Sequence, residues 1–223
     1  MFLFAFTRRV RHGSRAVVAL FTLVALSITT IQAANAAADH NKHMSMATPG
    51  MAIQLLPQAL GTYEWKVSTD NAEAQAFFNQ GMQLRWAYNM PESVASMVRA
   101  RELDPTCAMC FWGEAFSRGS FLNGGMSAEQ AAAAPVAIQQ ANQLKANSSA
   151  MERALIEAAL VRYPEGYDPD ERRSVDQAFA DAMAKVYREY PNNHDVAAVY
   201  AVSLFLLEDR RGYRDLADPD LQR

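Results

Sequence analysis

Small side chains and a proline stand at fixed intervals across residues 74–107, and this spacing constrains the fold more than anything else in the chain. Gly81, Ala100 and Pro105 take the eighth, twenty-seventh and thirty-second places of that 34-residue stretch. Phe77 is fourth, Leu84 eleventh, Ser93 twentieth and Met97 twenty-fourth. Small residues at places eight and twenty let two helices approach closely, large ones fill the gap between them, and the proline stops the second helix. Gln80 stands where leucine is usual.

The rest of the chain reads as helix after helix. A first helix is expected over 70–88, capped by Asp70, and Asn89-Met90-Pro91 then turns the chain into a second ending near Leu103. Asp104-Pro105 repeats the device ahead of a helix over 106–118. Ser127, with Gln130 three residues on, opens an alanine-rich helix to about residue 146, which tolerates Pro135 only near its start or at a kink. Further helices are expected over 148–163 and 170–190, and a last one from Asn193 or Asp195 to about Leu207. No alternating strand pattern occurs. The expected fold is all-α, with about seven helices in consecutive antiparallel pairs over 70–223, against the alternative of an irregular α-bundle. Residues 37–69 read as a flexible linker and lead-in, marked by Pro49-Gly50 and Pro57.

The amino terminus carries an export pattern. Arg8, Arg9, Arg11 and Arg15 precede an uncharged run over 16–31, then small residues from Ala33 to Ala38. A basic region, an apolar core and an A-x-A site describe a cleaved signal peptide, here ending after Ala36 or Ala38; an uncleaved anchor is the alternative. The apolar part falls short of the roughly 20 residues that span a bilayer. Without its four arginines the chain keeps 17 basic against 24 acidic residues, a net charge of −7. An acidic domain without a basic stripe is a poor partner for nucleic acid. The expected location is periplasmic or secreted.

Phe77-Phe78-Asn79-Gln80-Gly81, together with the stretch from Leu103-Asp104-Pro105 to Phe111-Trp112-Gly113, resembles the opening repeats of exported bacterial tetratricopeptide proteins. The likeness is specific over roughly residues 70–120 and looser beyond. It implies a right-handed stack of helix pairs whose first helices line a concave groove for a peptide or protein, and it brings no catalytic residue. On that pattern Gln75, Phe78, Met82, Arg85 and Trp86 face the groove in the first unit, and Met109, Trp112 and Phe116 in the second. Aromatic, Met and Arg side chains suit interface centres, though rings at helical spacing equally suit a core. Arg85 is the candidate for a partner's carboxylate. The apolar last helix and the short end at Leu216–Arg223 look like an interruption of a longer array, since terminal repeats usually carry a polar cap.

Two features invite other chemistry. Cys107 and Cys110 form C-x-x-C at a helix start, which fits a local disulfide in an oxidising compartment. Two buried thiols or a redox pair are the alternatives, but no βαβ setting surrounds them and Phe111 stands where haem attachment needs histidine. His40, His43, Met44 and Met46 form a segment suited to copper, and a periplasmic metal-handling protein using residues 39–51 is the alternative function. No phosphate loop, nucleophile elbow or H-E-x-x-H is present. The leading expectation is therefore a non-enzymatic scaffold that needs no cofactor and binds a protein or peptide.

Overall fold

The computed structural model describes residues 53–56, 60–121, 124–164, 166–168 and 170–208. All belong to one of the chain's two compact units, Ala47–Arg223. The leader, its cleavage sites and His40, His43, Met44 and Met46 lie outside the described residues, as does the end of the chain beyond residue 208.

Seven α-helices follow one another, and no strand occurs among the described residues; Phe121 and Gly124 make an isolated bridge. They are α1 (Ala72–Trp86), α2 (Met90–Leu103), α3 (Ala108–Arg118), α4 (Ala128–Leu144), α5 (Ala150–Arg162), α6 (Arg173–Glu189) and α7 (His194–Phe205). A single 3-10 turn, Lys145–Asn147, joins α4 to α5.

Local chemistry sets the boundaries. Asn71, rather than Asp70, caps α1: its Oδ1 accepts from the Glu73 and Ala74 amides, while its Nδ2 donates to Leu103 O at 2.9 Å. One side chain thus closes the start of α1 and the end of α2. Pro91 lies in the first turn of α2, where its missing N–H is harmless. Ser127 with Gln130, and Ser149 with Glu152, form reciprocal capping boxes on α4 and α5. Asn193 caps α7 through the Val196 amide. Pro135 sits inside α4, which continues through it.

Each helix packs on the next, except where a turn intervenes between α4 and α5 and the contact is looser, and α1 also meets α3, as α3 meets α5. That alternation puts α1, α3 and α5 side by side and is compatible with stacked pairs. Met97, fully buried on α2, wedges between α1 and α3. A Cβ on Gly81 would stand 2.7 Å from Met97 Cε, and one on Gly113 would stand 2.5 Å from Met97 Sδ. Only glycine at both places leaves room for that thioether. Ser93 Oγ donates to Gly81 O at 2.7 Å, so the small residues are also joined by a hydrogen bond.

Candidate functional site

The inner surface of α1 carries carboxamides at Gln75, Asn79, Gln80 and Gln83, and all four hold backbone atoms of the lead-in. Gln75 Nε2 donates to Trp65 O at 2.9 Å, and its Oε1 accepts from the Val67 amide at 3.0 Å. Asn79 Oδ1 accepts from the Trp65 amide at 3.2 Å, and Gln83 Nε2 donates to Tyr63 O at 2.9 Å. Further back, Gln80 takes both sides of one stretch: its Oε1 accepts from the Leu56 amide and its Nε2 donates to Gln54 O. Spacing of about four residues puts these side chains on one helical face. A carboxamide offers a donor and an acceptor together, which matches an extended backbone.

Side chains of the lead-in complete the attachment. Trp65 and Val67, two residues apart and so on one side of an extended chain, are both buried. The Trp65 ring meets Phe78 edge-on at 5.9 Å and Trp112 at 5.5 Å. Tyr63 Oη donates to Asp195 Oδ1 on α7 at 2.6 Å, and the Ser68 amide donates to Glu152 Oε1 on α5 at 2.7 Å. Burial first, then the Asp195 carboxylate, pushes the Tyr63 phenol well above its ordinary range. The lead-in therefore ties α1, α5 and α7 together. Over residues 60–69 the lead-in is chain packed onto the helices through Trp65 and Val67.

This covering corrects the sequence-based groove. Phe78, Met82 and Met109 are fully buried, and Trp112, Phe116 and Arg85 nearly so; Gln75 and Trp86 are partly exposed. Trp112 Nε1 donates to Leu155 O at 3.2 Å, and its ring stacks on Phe116 at 5.0 Å. The residues do come together, but as core under Trp65 rather than as an open surface. A large aromatic residue from outside the helices, Trp65, supplied the cover that spacing within α1 and α3 could not reveal. The signal for it was Gln80: a polar residue at a leucine place, with Asn79, Gln75 and Gln83 around it.

Where the lead-in passes into α1, a cleft of about 1120 Å³ opens, lined chiefly by polar residues including Lys66, Asp70, Asp104 and Glu152. Burial would raise the Asp104 carboxyl, but hydrogen bonds from Thr106 and Thr69 and from nearby amides outweigh it and hold the group below its ordinary value.

Cys107 and Cys110 are joined by a disulfide, with Cα atoms 5.3 Å apart and both residues fully buried. Cys107 Sγ also accepts from the Cys110 amide, so the bridge caps α3. Among the described residues no group of three or more His, Cys, Asp or Glu is placed to hold a metal ion, and no helix is long and apolar enough to cross a membrane. Comparison of the chain with protein-family models, curated proteins and solved structures gave no match.

Proposed function

We propose that this chain is a non-catalytic helical-repeat module of the tetratricopeptide type, exported by a cleaved leader, whose inner face binds an extended peptide. The observation that carries the reading is the row of carboxamides on α1 gripping main-chain atoms of residues 54–67. Contacts to backbone accept many sequences, and selection falls to the space between Phe78 and Trp112, which takes one large ring. The chain's own lead-in fills that face, so a partner peptide competes with it. An aromatic residue followed two places later by a branched apolar one, as Trp65 and Val67 are, is the expected motif of a competitor.

The test uses the exported chain carrying Trp65→Ala and a labelled peptide of residues 60–69. Saturable anisotropy change is expected with the variant, weaker change with the wild-type chain, and loss when Gln75→Ala and Asn79→Ala are added. A folded variant (judged by circular dichroism) that does not bind the peptide refutes the proposal.

A further inference from the structure

At the end of α1, Arg85 shares the Ser120 carbonyl with Arg162, and Arg162 shares the Asp176 carboxylate with Arg172. Arg162 Nε lies 3.3 Å from Asp176 Oδ1, and Arg172 binds the other oxygen of the same group. Arg85 has no carboxylate within ion-pairing distance among the described residues; its Nη1 meets Met90 Sδ at 2.9 Å and Gly119 O at 3.5 Å, and its Nη2 meets Ser120 O at 3.4 Å. Arg162 Nη2 donates to the same Ser120 O at 3.2 Å. Arg172 is partly exposed, but Arg85 and Arg162 are both at least 97% shielded from solvent, so among the described residues these two buried cations face the one buried Asp176 carboxylate. Burying a charge without a counter-ion is strongly unfavourable. Burial first, and the Arg162 charge second, brings the Arg85 guanidinium down to about 10.

Polar atoms without partners gather at the same place. Arg162 Nη1, Tyr163 Oη and Ser120 Oγ are buried and have no hydrogen-bond partner among the described residues. They converge on Gly119, where a Cβ would stand 2.0 Å from Tyr163 Oη and 2.8 Å from Arg162 Nη1. Native interiors rarely leave several donors unused in one spot.

A cavity of about 80 Å³ opens beside Arg85, walled by Trp86 and Tyr88, by Phe121, and by Val202, Phe205 and Leu206 at the end of α7. The guanidinium is held between rings, 4.5 Å from the Phe116 centroid and 5.8 Å from that of Phe121. Tyr88 and Phe205 at the mouth are about half exposed. Tyr88 also has a φ of 61°, a left-handed backbone that a bulky residue seldom adopts. Such strain is concentrated at functional sites.

We infer that this cavity is a binding site for a small carboxylic acid bearing an apolar group. The carboxylate meets Arg85, and the apolar part lies among Trp86, Phe121 and Leu206. The site is independent of the inner-face peptide reading, because it uses none of the carboxamides that hold the lead-in.

The experiment measures thermal unfolding and calorimetric binding of the full exported chain with 3-methylbutanoate, its amide, and inorganic phosphate. The acid is expected to raise the midpoint saturably, while the amide and phosphate leave it unchanged. Arg85→Met removes the cation and weakens acid binding by about tenfold or more, as loss of a hydrogen bond to a charged group does. It also holds or raises the midpoint without acid, since a buried uncompensated charge has gone; a purely structural arginine would lower it. Val202→Phe fills the cavity and leaves every charge in place, so it decides the matter if Arg85→Met does not fold, and it too abolishes the response. An acid that shifts nothing, an amide or phosphate equal to the acid, or an undiminished response in Val202→Phe overturns the inference.

Discussion

Replacing Trp65 by alanine tests whether the lead-in is part of the fold's core. The ring is 3% exposed and makes edge contacts with both Phe78 and Trp112. Truncating a buried aromatic side chain costs about 3–5 kcal/mol, of which each ring pair supplies about 0.5–1.5 kcal/mol. Against this, the Trp65 indole Nε1 is buried without an acceptor, and removing it returns about 1–3 kcal/mol. The expected net loss is therefore about 2 kcal/mol. Backbone hydrogen bonds to Gln75 and Asn79 survive the substitution in principle, so the lead-in should loosen before the helices melt. Urea unfolding gives the global loss, and native-state hydrogen exchange at the Leu56, Trp65-position and Val67 amides gives the local one. Those amides should exchange roughly thirtyfold faster, the factor that about 2 kcal/mol implies. A global loss below about 1 kcal/mol, with the three amides as protected as before, would refute the view that this ring seals the inner face.

Two further perturbations probe the frame that presents that face. Gly113→Ala drives a methyl group against Met97 Sδ and to within 3.1 Å of Phe78 Cε2, and should destabilise by about 1–3 kcal/mol. Adding Met97→Ala should recover part of that loss, and strictly additive losses in urea unfolding would argue against the wedge. Reducing the Cys107–Cys110 bridge opens a very short loop, for which chain entropy gives about 2 kcal/mol. The native chain should yield no thiol to a colorimetric reagent, and two after unfolding in reductant; thiols titrating without reductant would contradict the bridge.

Helices were legible because their ends are written in single residues. Ser127 with Gln130, Pro91 and Asn193 act within one turn of where they stand, and a reader of sequence needs nothing distant to place them. Asn71 was missed in favour of its neighbour Asp70 for an equally local reason, since either side chain suits a cap; what decided it was the second bond from Asn71 Nδ2 to Leu103 O, thirty-two residues away. The lead-in was illegible because nothing periodic marks residues 37–69. An extended chain held by another element's carboxamides has no pattern of its own beyond the i, i+2 pair of Trp65 and Val67. Arg85 failed differently. Its type and place suggested an exposed anchor, and its burial comes from Phe121 and the end of α7, both far along the chain.

The residues picked as groove anchors nevertheless form one physical object. Trp65 meets Trp112, Trp112 stacks on Phe116, and the Arg85 guanidinium lies over Phe116. Trp86 meets the same Phe116 ring edge-on at 6.0 Å. Phe78, Arg85, Trp112 and Phe116 come together because α1 and α3 meet along these faces. What helical spacing leaves open is the side from which the line is covered. Two elements outside α1 and α3 do it: the lead-in covers it with a tryptophan, and the last turn of α7 walls a cavity beside a charged group. Large aromatic residues are sequence-neutral between core and interface, since both environments favour them for the same buried area. Uncompensated charge is not neutral in that way. A ring stack ending in Arg85, rather than in another apolar residue, keeps an unfavourable element that packing alone would have removed. That asymmetry, more than the rings themselves, separates the two ends of α1 into a face that holds chain and a cavity suited to an acid.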